Sequence, residues 1–307
     1  METVKLDYED KVNFYYIYKP LAHPEFQGYV SPINIKERLM HIDEAKRRLG
    51  SSITWLADTM ENVYHRASGE TPNSEILVGP NGMVLAARSW SDPDALRKDL
   101  AAAVGPVENP TQIADLNLPV QSMIGTVAKG IVPRVVKPGH FLPMETVANE
   151  KTTKVPFYTK LRAEGSQELY DTGKGTMYIG FHLDPLYRVH WNNEAPPLEF
   201  EISTPDGITI TPDKIVGPDP EEEADADPRE FLVEVDSTAA GGVVDLTVKY
   251  FACDDELTFC IPVQQDYQIT LVRDTSHGGA ITTDAGGNIV GGGNNRRRPG
   301  GRARPAS

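Results

Sequence analysis

The sequence predicts an α/β unit followed by an all-β unit, with a polar tail at the end of the chain. Two observations lead to this prediction. Residues 1–105 alternate strand-like and helix-like segments, whereas residues 155–274 contain short strand-like runs separated by turn residues. Residues 106–154 are punctuated by prolines and are predicted to be a connector. A chain of 307 residues is long enough for each unit to bury a core.

Local signals predict six elements in residues 1–105. The amphipathic pattern of 34–49, ended by Gly50, is typical of a helix, and Asn81-Gly82 between two apolar runs is typical of a hairpin turn. In order, we predict a strand (11–18), a helix (34–49), a strand (53–57), a short helix opening at 58–62, a hairpin (75–86) and a helix capped at 91–94 and running over 95–104.

This order, with Thr71-Pro72 just before the hairpin, resembles the later part of a thioredoxin fold, and within it the iodothyronine-deiodinase-like redoxins. The residues that match are 14–18, 22–24, 37–38, 58–62 and 72. The resemblance implies a cis bond before Pro72 and a place for His23 close to a redox residue. In that family the redox residue, a cysteine or selenocysteine, precedes the first of these strands.

Residues 1–252 contain no cysteine, so the predicted thioredoxin-like domain lacks a redox residue of its own. Two explanations stay open. Either the chain is truncated at its start and an upstream segment carries that residue, or the domain is a scaffold without a nucleophile.

Five runs with a period of two follow residue 155, and their regular spacing predicts an immunoglobulin-like β-sandwich. These predicted strands are 176–183, 198–203, 230–235, 243–251 and 267–272. After residue 274 the chain is rich in Gly, Asn and Arg, so we predict that 275–307 is a disordered tail.

The two cysteines of the chain, Cys253 and Cys260, flank a short acidic and aromatic loop between two strand-like runs. A hairpin of this kind brings both sulfurs within disulfide reach. The acidic residues 254–256 disfavour a thiolate, which fits a pair attacked by a partner better than an aggressive nucleophile. The alternatives are a structural disulfide, and a reduced or metal-binding pair for which no nearby Cys or His supplies further ligands.

The segment 250–262, with its order of Tyr, Cys, acidic residues, Phe-Cys and Pro, resembles the N-terminal domain of the thiol:disulfide interchange protein family DsbD. Its six-residue spacing between the cysteines is slightly longer than that family leads us to expect. The resemblance implies that Cys253 and Cys260 form a redox-active pair that exchanges electrons with a thioredoxin-fold partner. We expect aromatic side chains to shield the sulfurs until the partner docks, namely Tyr250, Phe251 and Phe259.

Other histidines are weaker candidates. His182 is predicted to be structural, and His190, in a polar-aromatic run, is predicted to end a strand, with a place in a site as its alternative. The acidic run 221–227 is predicted to be a solvated loop.

The predicted function is therefore that of a thiol-disulfide redox protein, an oxidoreductase if active. The alternatives are a non-catalytic binding protein with a structural disulfide, and a truncated deiodinase- or peroxidase-like enzyme. We expect no cofactor. The net charge of -14 argues against general nucleic-acid binding, and no run is apolar enough to cross a bilayer. The family and the disulfide favour the periplasm or cell envelope, whereas a genuine start without a signal peptide favours the cytoplasm.

Overall fold

The computed structural model describes residues 1–21, 24, 28–116, 118, 129–238, 241–256 and 258–274. The chain divides into two compact units. The first comprises residues 1–127 together with 184–189, and the second comprises 128–183 together with 190–307. The coarse prediction of an α/β part followed by a β-rich part is confirmed. The predicted tail, 275–307, and the Ala22-His23 part of the deiodinase-like match lie outside the described residues.

Among its described residues, the first unit contains four α-helices and four strands, besides two short 3-10 helices at Ile113–Leu116 and Pro185–Tyr187. The α-helices and strands are α1 (Glu2–Tyr8), β1 (Tyr15–Tyr18), α2 (Ile35–Leu49), β2 (Thr54–Ala57), α3 (Val63–Ala67), β3 (Glu75–Val78), β4 (Val84–Arg88) and α4 (Pro93–Val104). Strands β1 and β2 pair in parallel, and β3 and β4 form the antiparallel hairpin predicted at Asn81-Gly82. A small core joins α1, β3 and α4 through the buried side chains of Val4, Tyr8, Leu77, Leu96 and Leu100.

The helix boundaries follow from the capping residues. The Asn34 side chain accepts a hydrogen bond from the N–H of Glu37 at 3.0 Å, and Gly50 ends α2 in the left-handed conformation with φ 58°. Asp92 caps α4 in the same way, by accepting from the N–H groups of Asp94 and Ala95. Both long helices predicted from the sequence are therefore confirmed.

Two details of this unit differ from the predictions. The short helix α3 begins at Val63, later than predicted, because the Asp58 carboxylate accepts from the N–H groups of Tyr64 and His65 and caps the helix from a distance. The expected cis bond before Pro72 is wrong, since the cis peptide bond of the described chain joins Thr211 to Pro212.

The second unit is built around an eleven-stranded antiparallel sheet and one short helix. These elements are β5 (Phe141–Ala148), β6 (Thr159–Ser166), α5 (Gln167–Thr172), β7 (Lys174–Leu183), β8 (Val189–Asn192), β9 (Glu199–Ser203), β10 (Ile208–Thr211), β11 (Lys214–Val216), β12 (Ala224–Asp225), β13 (Arg229–Ser237), β14 (Val243–Asp254) and β15 (Cys260–Arg273). The strand order is β10–β13–β7–β6–β5–β15–β14–β8–β12, and β9 joins β14 and β11.

Strand β5 links the two halves of this sheet. Its residues 141–143 pair with β6, and its residues 144–148 pair with β15. Pro143, which has no N–H to donate, stands where the strand changes partner. This strand lies within the segment predicted to be a connector.

Aromatic contacts show that the two halves of the sheet pack face to face. The ring of Phe181 on β7 lies 5.4 Å from the ring of Phe200 on β9, and Phe200 lies 5.0 Å from Phe231 on β13. Strand β9 is far from β7 and β13 in the hydrogen-bonded order, so the sheet folds back on itself and encloses the core. Among the described helices, none is both long and apolar enough to cross a bilayer.

A charged strap, residues 129–137, covers the outer face of β6, β7 and β13. Asp227 accepts from the N–H of Val132 at 3.0 Å, and Glu230 forms two hydrogen bonds with the Arg134 guanidinium at 2.6 and 2.7 Å. The Lys137 ammonium lies 2.6 Å from the Glu164 carboxylate. The proline-rich segment is therefore held against the sheet by ion pairs and not by apolar packing alone.

Beneath this strap, the side chains of Tyr178 and His182 lie over Gly180. A Cβ at position 180 would lie 2.3 Å from the Tyr178 hydroxyl oxygen, which leaves no room for a side chain there. The Tyr178 hydroxyl donates to Glu230 at 2.6 Å. Burial lowers the pKa of His182 to about 3, and the charges of Arg162, Arg134 and Lys137 also lower this pKa, while Glu230 opposes them. His182 is thus a structural residue of the sheet, as predicted.

We expect His182 to make the fold acid-sensitive. Its folded pKa of about 3 lies below the value of 6.5 for a free histidine, so between these pH values the unfolded chain binds a proton that the folded chain does not. The free energy of unfolding should therefore fall as pH is lowered from 6.5 towards 3, by up to about 1.4 kcal/mol per pH unit from this group. His182→Gln should remove that slope in chemical denaturation curves measured between pH 6.5 and 4.5.

The matched control is His140→Gln, which changes an exposed histidine. If the free energy of unfolding depended on pH with the same slope in the wild type and in His182→Gln, His182 would not be the source of the acid sensitivity.

Candidate functional site

The cysteine pair lies at the end of the long hairpin formed by β14 and β15. Eleven residue pairs run from Val243 opposite Thr270 to Cys253 opposite Cys260. Alternate residues of β14 are fully buried and face the core, including Leu246, Val248 and Ala252, so Cys253 belongs to the opposite, outer face. Cys253 and Cys260 form a disulfide, with their Cα atoms 4.0 Å apart. The predicted hairpin geometry is therefore confirmed.

The two cysteines differ in exposure. Cys253 retains 3% of its accessible surface, whereas Cys260 is exposed. A partner that approaches the outer face therefore reaches Cys260 first.

The loop between the cysteines is held by Asp254. Its carboxylate accepts hydrogen bonds from the N–H and hydroxyl of Thr258, at 2.7 and 2.6 Å, and from the N–H of Phe259 at 2.8 Å. Burial by itself raises the pKa of Asp254, but these hydrogen bonds lower it below its ordinary value. Asp254 is thus an ionised anchor of the loop.

Strand β8 supplies polar groups to the same end of the hairpin. The Asn192 amide Nδ2 donates to the Cys260 sulfur at 3.3 Å, and His190 Nδ1 lies 3.2 Å from the Asp255 carboxylate. His190 and Asn192 alternate with Trp191, which is buried at 3% exposure. The sequence analysis considered this polar-aromatic run for a site only as an alternative and gave Asn192 no role of its own, although the alternation of polar and aromatic residues is the signal that places Asn192 on an outer face.

The three aromatic residues predicted to shield the sulfurs occupy different positions. Phe259 lies in the loop, with its ring 5.9 Å from that of Tyr158. Phe251 is half-buried and stands opposite Pro262 on the outer face, two residue pairs away from the disulfide. Tyr250 faces the core instead, where its ring lies 5.5 Å from Trp191 and burial raises its pKa. Tyr250 therefore belongs to the core and does not shield the sulfurs, whereas Phe251 lies on the same face of the hairpin as the disulfide and Phe259 precedes Cys260 in the chain.

A surface pocket lies beside the disulfide on the second unit. Its volume is about 480 Å³, and Phe251 and Pro262 form the part nearest to the cysteines. Its other lining residues are largely apolar and include a salt-bridged pair, Glu199 and Lys249, with a distance of 3.4 Å between the charged atoms. The full lining is Pro196, Pro197, Glu199, Val216, Lys249, Tyr250, Phe251, Pro262, Val263 and Gln264.

The remaining site predictions fall on the first unit. Pro72 is exposed in the turn that precedes β3, and His23 is outside the residues that the structure describes. No group of three or more metal-ligating side chains suited to an ion occurs among the described residues.

No known family model matches the chain, and no curated protein matches it. Function is therefore inferred from the geometry of the site and from the sequence motif around the cysteines.

We expect the loop anchor to control how fast the disulfide is reduced. Asp254→Ala removes one negative charge and three loop hydrogen bonds, whereas Asp255→Ala removes one charge that faces the His190 ring. Reduction by dithiothreitol, followed by thiol trapping, should be faster in both variants because a thiolate approaches with less repulsion. Asp254→Ala should be several-fold faster than Asp255→Ala, since its loop also opens. Equal rates for the two variants would show that charge alone controls access.

Proposed function

We propose that the second unit performs thiol–disulfide exchange, with Cys253 and Cys260 as the redox pair and a thioredoxin-fold dithiol protein as the partner. The observation that carries this proposal is the asymmetry of the pair: a buried Cys253 joined to an exposed Cys260 on an open sheet face. Exchange needs a sulfur that an incoming thiolate can reach, and Cys260 meets that condition.

The reaction has two steps. The partner thiolate attacks the Cys260 sulfur, a bond forms between the two proteins, and Cys253 leaves as a thiolate that takes a proton from water. A second thiol of the partner then attacks the partner's own sulfur in this mixed disulfide and releases Cys260. The partner loses two electrons and becomes a disulfide, while Cys253 and Cys260 become a dithiol.

The hairpin itself argues against a purely stabilising role. Of the eleven residue pairs, the ten that precede the cysteine pair already hold the two strands together, and the Asp254 hydrogen bonds hold the loop beyond it. Closing a loop this short adds roughly 2–3 kcal/mol to stability in the chain-entropy model, and less where the unfolded hairpin retains structure. The accessible position of the cysteine pair therefore fits disulfide exchange better than a purely structural cross-link.

The proposal also assigns a domain family to each unit and a compartment to the protein. The second unit is an immunoglobulin-like domain of the DsbD type, which the motif at 250–262 and the face-to-face packing of the sheet support. The first unit is a thioredoxin-like domain, supported by the order of its elements. The compartment is the periplasm or cell envelope, because disulfides persist where the surroundings are oxidising.

A second candidate function is that of a binding protein with a structural disulfide. The observation in its favour is that residues 1–252 carry no cysteine. The thioredoxin-like unit of this chain therefore has no thiol that could exchange with the Cys253–Cys260 disulfide. In the exchange proposal, by contrast, the partner dithiol comes from another polypeptide.

We expect a thioredoxin-fold protein to form a covalent adduct with Cys260. A thioredoxin whose second active-site cysteine is replaced by serine cannot complete the exchange, so the mixed disulfide accumulates. Incubation with the oxidised chain, followed by acid quenching and peptide mass mapping, should place the adduct on Cys260 and leave Cys253 free. The same incubation in denaturant is the control, because unfolding exposes both sulfurs.

An adduct that forms only in denaturant would support the binding-protein alternative. An adduct on Cys253 in the native protein would contradict the proposed order of attack.

A further inference from the structure

The amide of Asn192 is aimed at the exposed sulfur of the pair. Its Nδ2 atom lies 3.3 Å from the Cys260 sulfur, and its Oδ1 atom accepts a hydrogen bond from the N–H of Glu194 at 2.9 Å. An amide oxygen cannot donate, so the bond from Glu194 fixes which end of the side chain faces the cysteine. The group presented to the sulfur is therefore a hydrogen-bond donor.

Strand β8 holds this amide in place through the residues on either side of it. The Trp191 indole donates to the backbone carbonyl of Asp227 at 2.7 Å, and its ring lies 5.0 Å from the Arg229 guanidinium carbon. The Asn193 side chain donates to Asp225 at 2.8 Å and accepts from Arg229 at 3.0 Å. Asn192 thus sits between two anchored residues, and little reorganisation is needed for it to meet a charge on Cys260.

The acidic residues nearest the pair are engaged elsewhere. The Asp254 carboxylate accepts its three hydrogen bonds from the loop, and Asp255 contacts His190. Neither group can donate to a sulfur anion, because an ionised carboxylate only accepts. A donor near Cys260 consequently acts against the surrounding negative charge.

We infer that Asn192 stabilises the thiolate of Cys260 and so sets how readily this cysteine leaves and reacts. The inference deepens the exchange proposal and rests on it. In the disulfide the sulfur is a weak acceptor, whereas the thiolate released in the second step carries a full charge and takes a stronger hydrogen bond. The interaction therefore favours the reduced state and the step that forms it.

The test uses Cys253→Ser variants, in which Cys260 is the single cysteine, so that alkylation by iodoacetamide reports one thiol. Asn192→Leu removes the donor at similar size. Asn192→Asp keeps the acceptor for Glu194 and places an oxygen where Nδ2 stood. Gln268→Leu is the matched control, since it makes the same type of change at an exposed amide of β15 that donates to Asp245 at 3.0 Å.

We expect Asn192→Leu to lower the thiolate fraction at pH 7 about tenfold, as for the loss of one hydrogen bond to a charged group. A more basic thiolate is also a better nucleophile, so the alkylation rate should fall only about threefold. The alkylation rate should fall further in Asn192→Asp, because the new carboxylate repels the thiolate. Gln268→Leu should keep the alkylation rate of the Cys253→Ser parent. Thermal unfolding of each variant checks that the fold is retained.

A second readout separates this role from a merely structural one. With both cysteines present, the thiol–disulfide equilibrium constant against glutathione at pH 9 should move towards the disulfide in Asn192→Leu. A tenfold shift corresponds to about 30 mV. An alkylation rate and an equilibrium constant equal to those of the Gln268→Leu control would overturn the inference, even if the wild-type protein exchanges with thioredoxin. Slower alkylation in both Asn192 variants would uphold it, even if no exchange with thioredoxin were found.

Discussion

The pairing register of β14 and β15 is the constraint on which the site depends. Cys253 stands directly opposite Cys260, and the same register places Phe251 opposite Pro262 at the edge of the pocket. Because side chains alternate between the two faces of a strand, a slip by one residue would move Cys253 to the core side and expose Ala252. The buried aliphatic residues of β14 prevent this slip, so the hydrophobic core fixes the position of the cysteine pair.

The acidic composition around the pair has a different physical meaning in the structure than in the sequence. In the sequence, residues 254–256 are a block of negative charge that opposes a thiolate. In the fold, the Asp254 carboxylate is engaged in hydrogen bonds that shape the loop, and Asp255 is turned towards His190. The proposed exchange chemistry then depends on the balance between these charges and the Asn192 donor.

The sequence predicted those elements that have strong local signals. Helices α2 and α4 carry capping residues, the β3–β4 hairpin carries Asn-Gly, and the alternation in β14 and β15 identified the cysteine hairpin. Strand β5 was missed because Pro143 and the prolines before it hide a strand that is stabilised by two different partners. The contact of Asn192 with Cys260 was not predicted because it comes from β8 lying beside the hairpin, a non-local pairing that no short window of sequence reveals.

The central claim is that the Cys253–Cys260 disulfide serves electron transfer and not only stability. The most direct test is its reduction potential, measured by equilibration in glutathione or dithiothreitol buffers with thiol trapping. A role in electron transfer predicts a potential between about -120 and -270 mV, the range of proteins that exchange disulfides. A potential below about -300 mV, typical of structural disulfides, would contradict it.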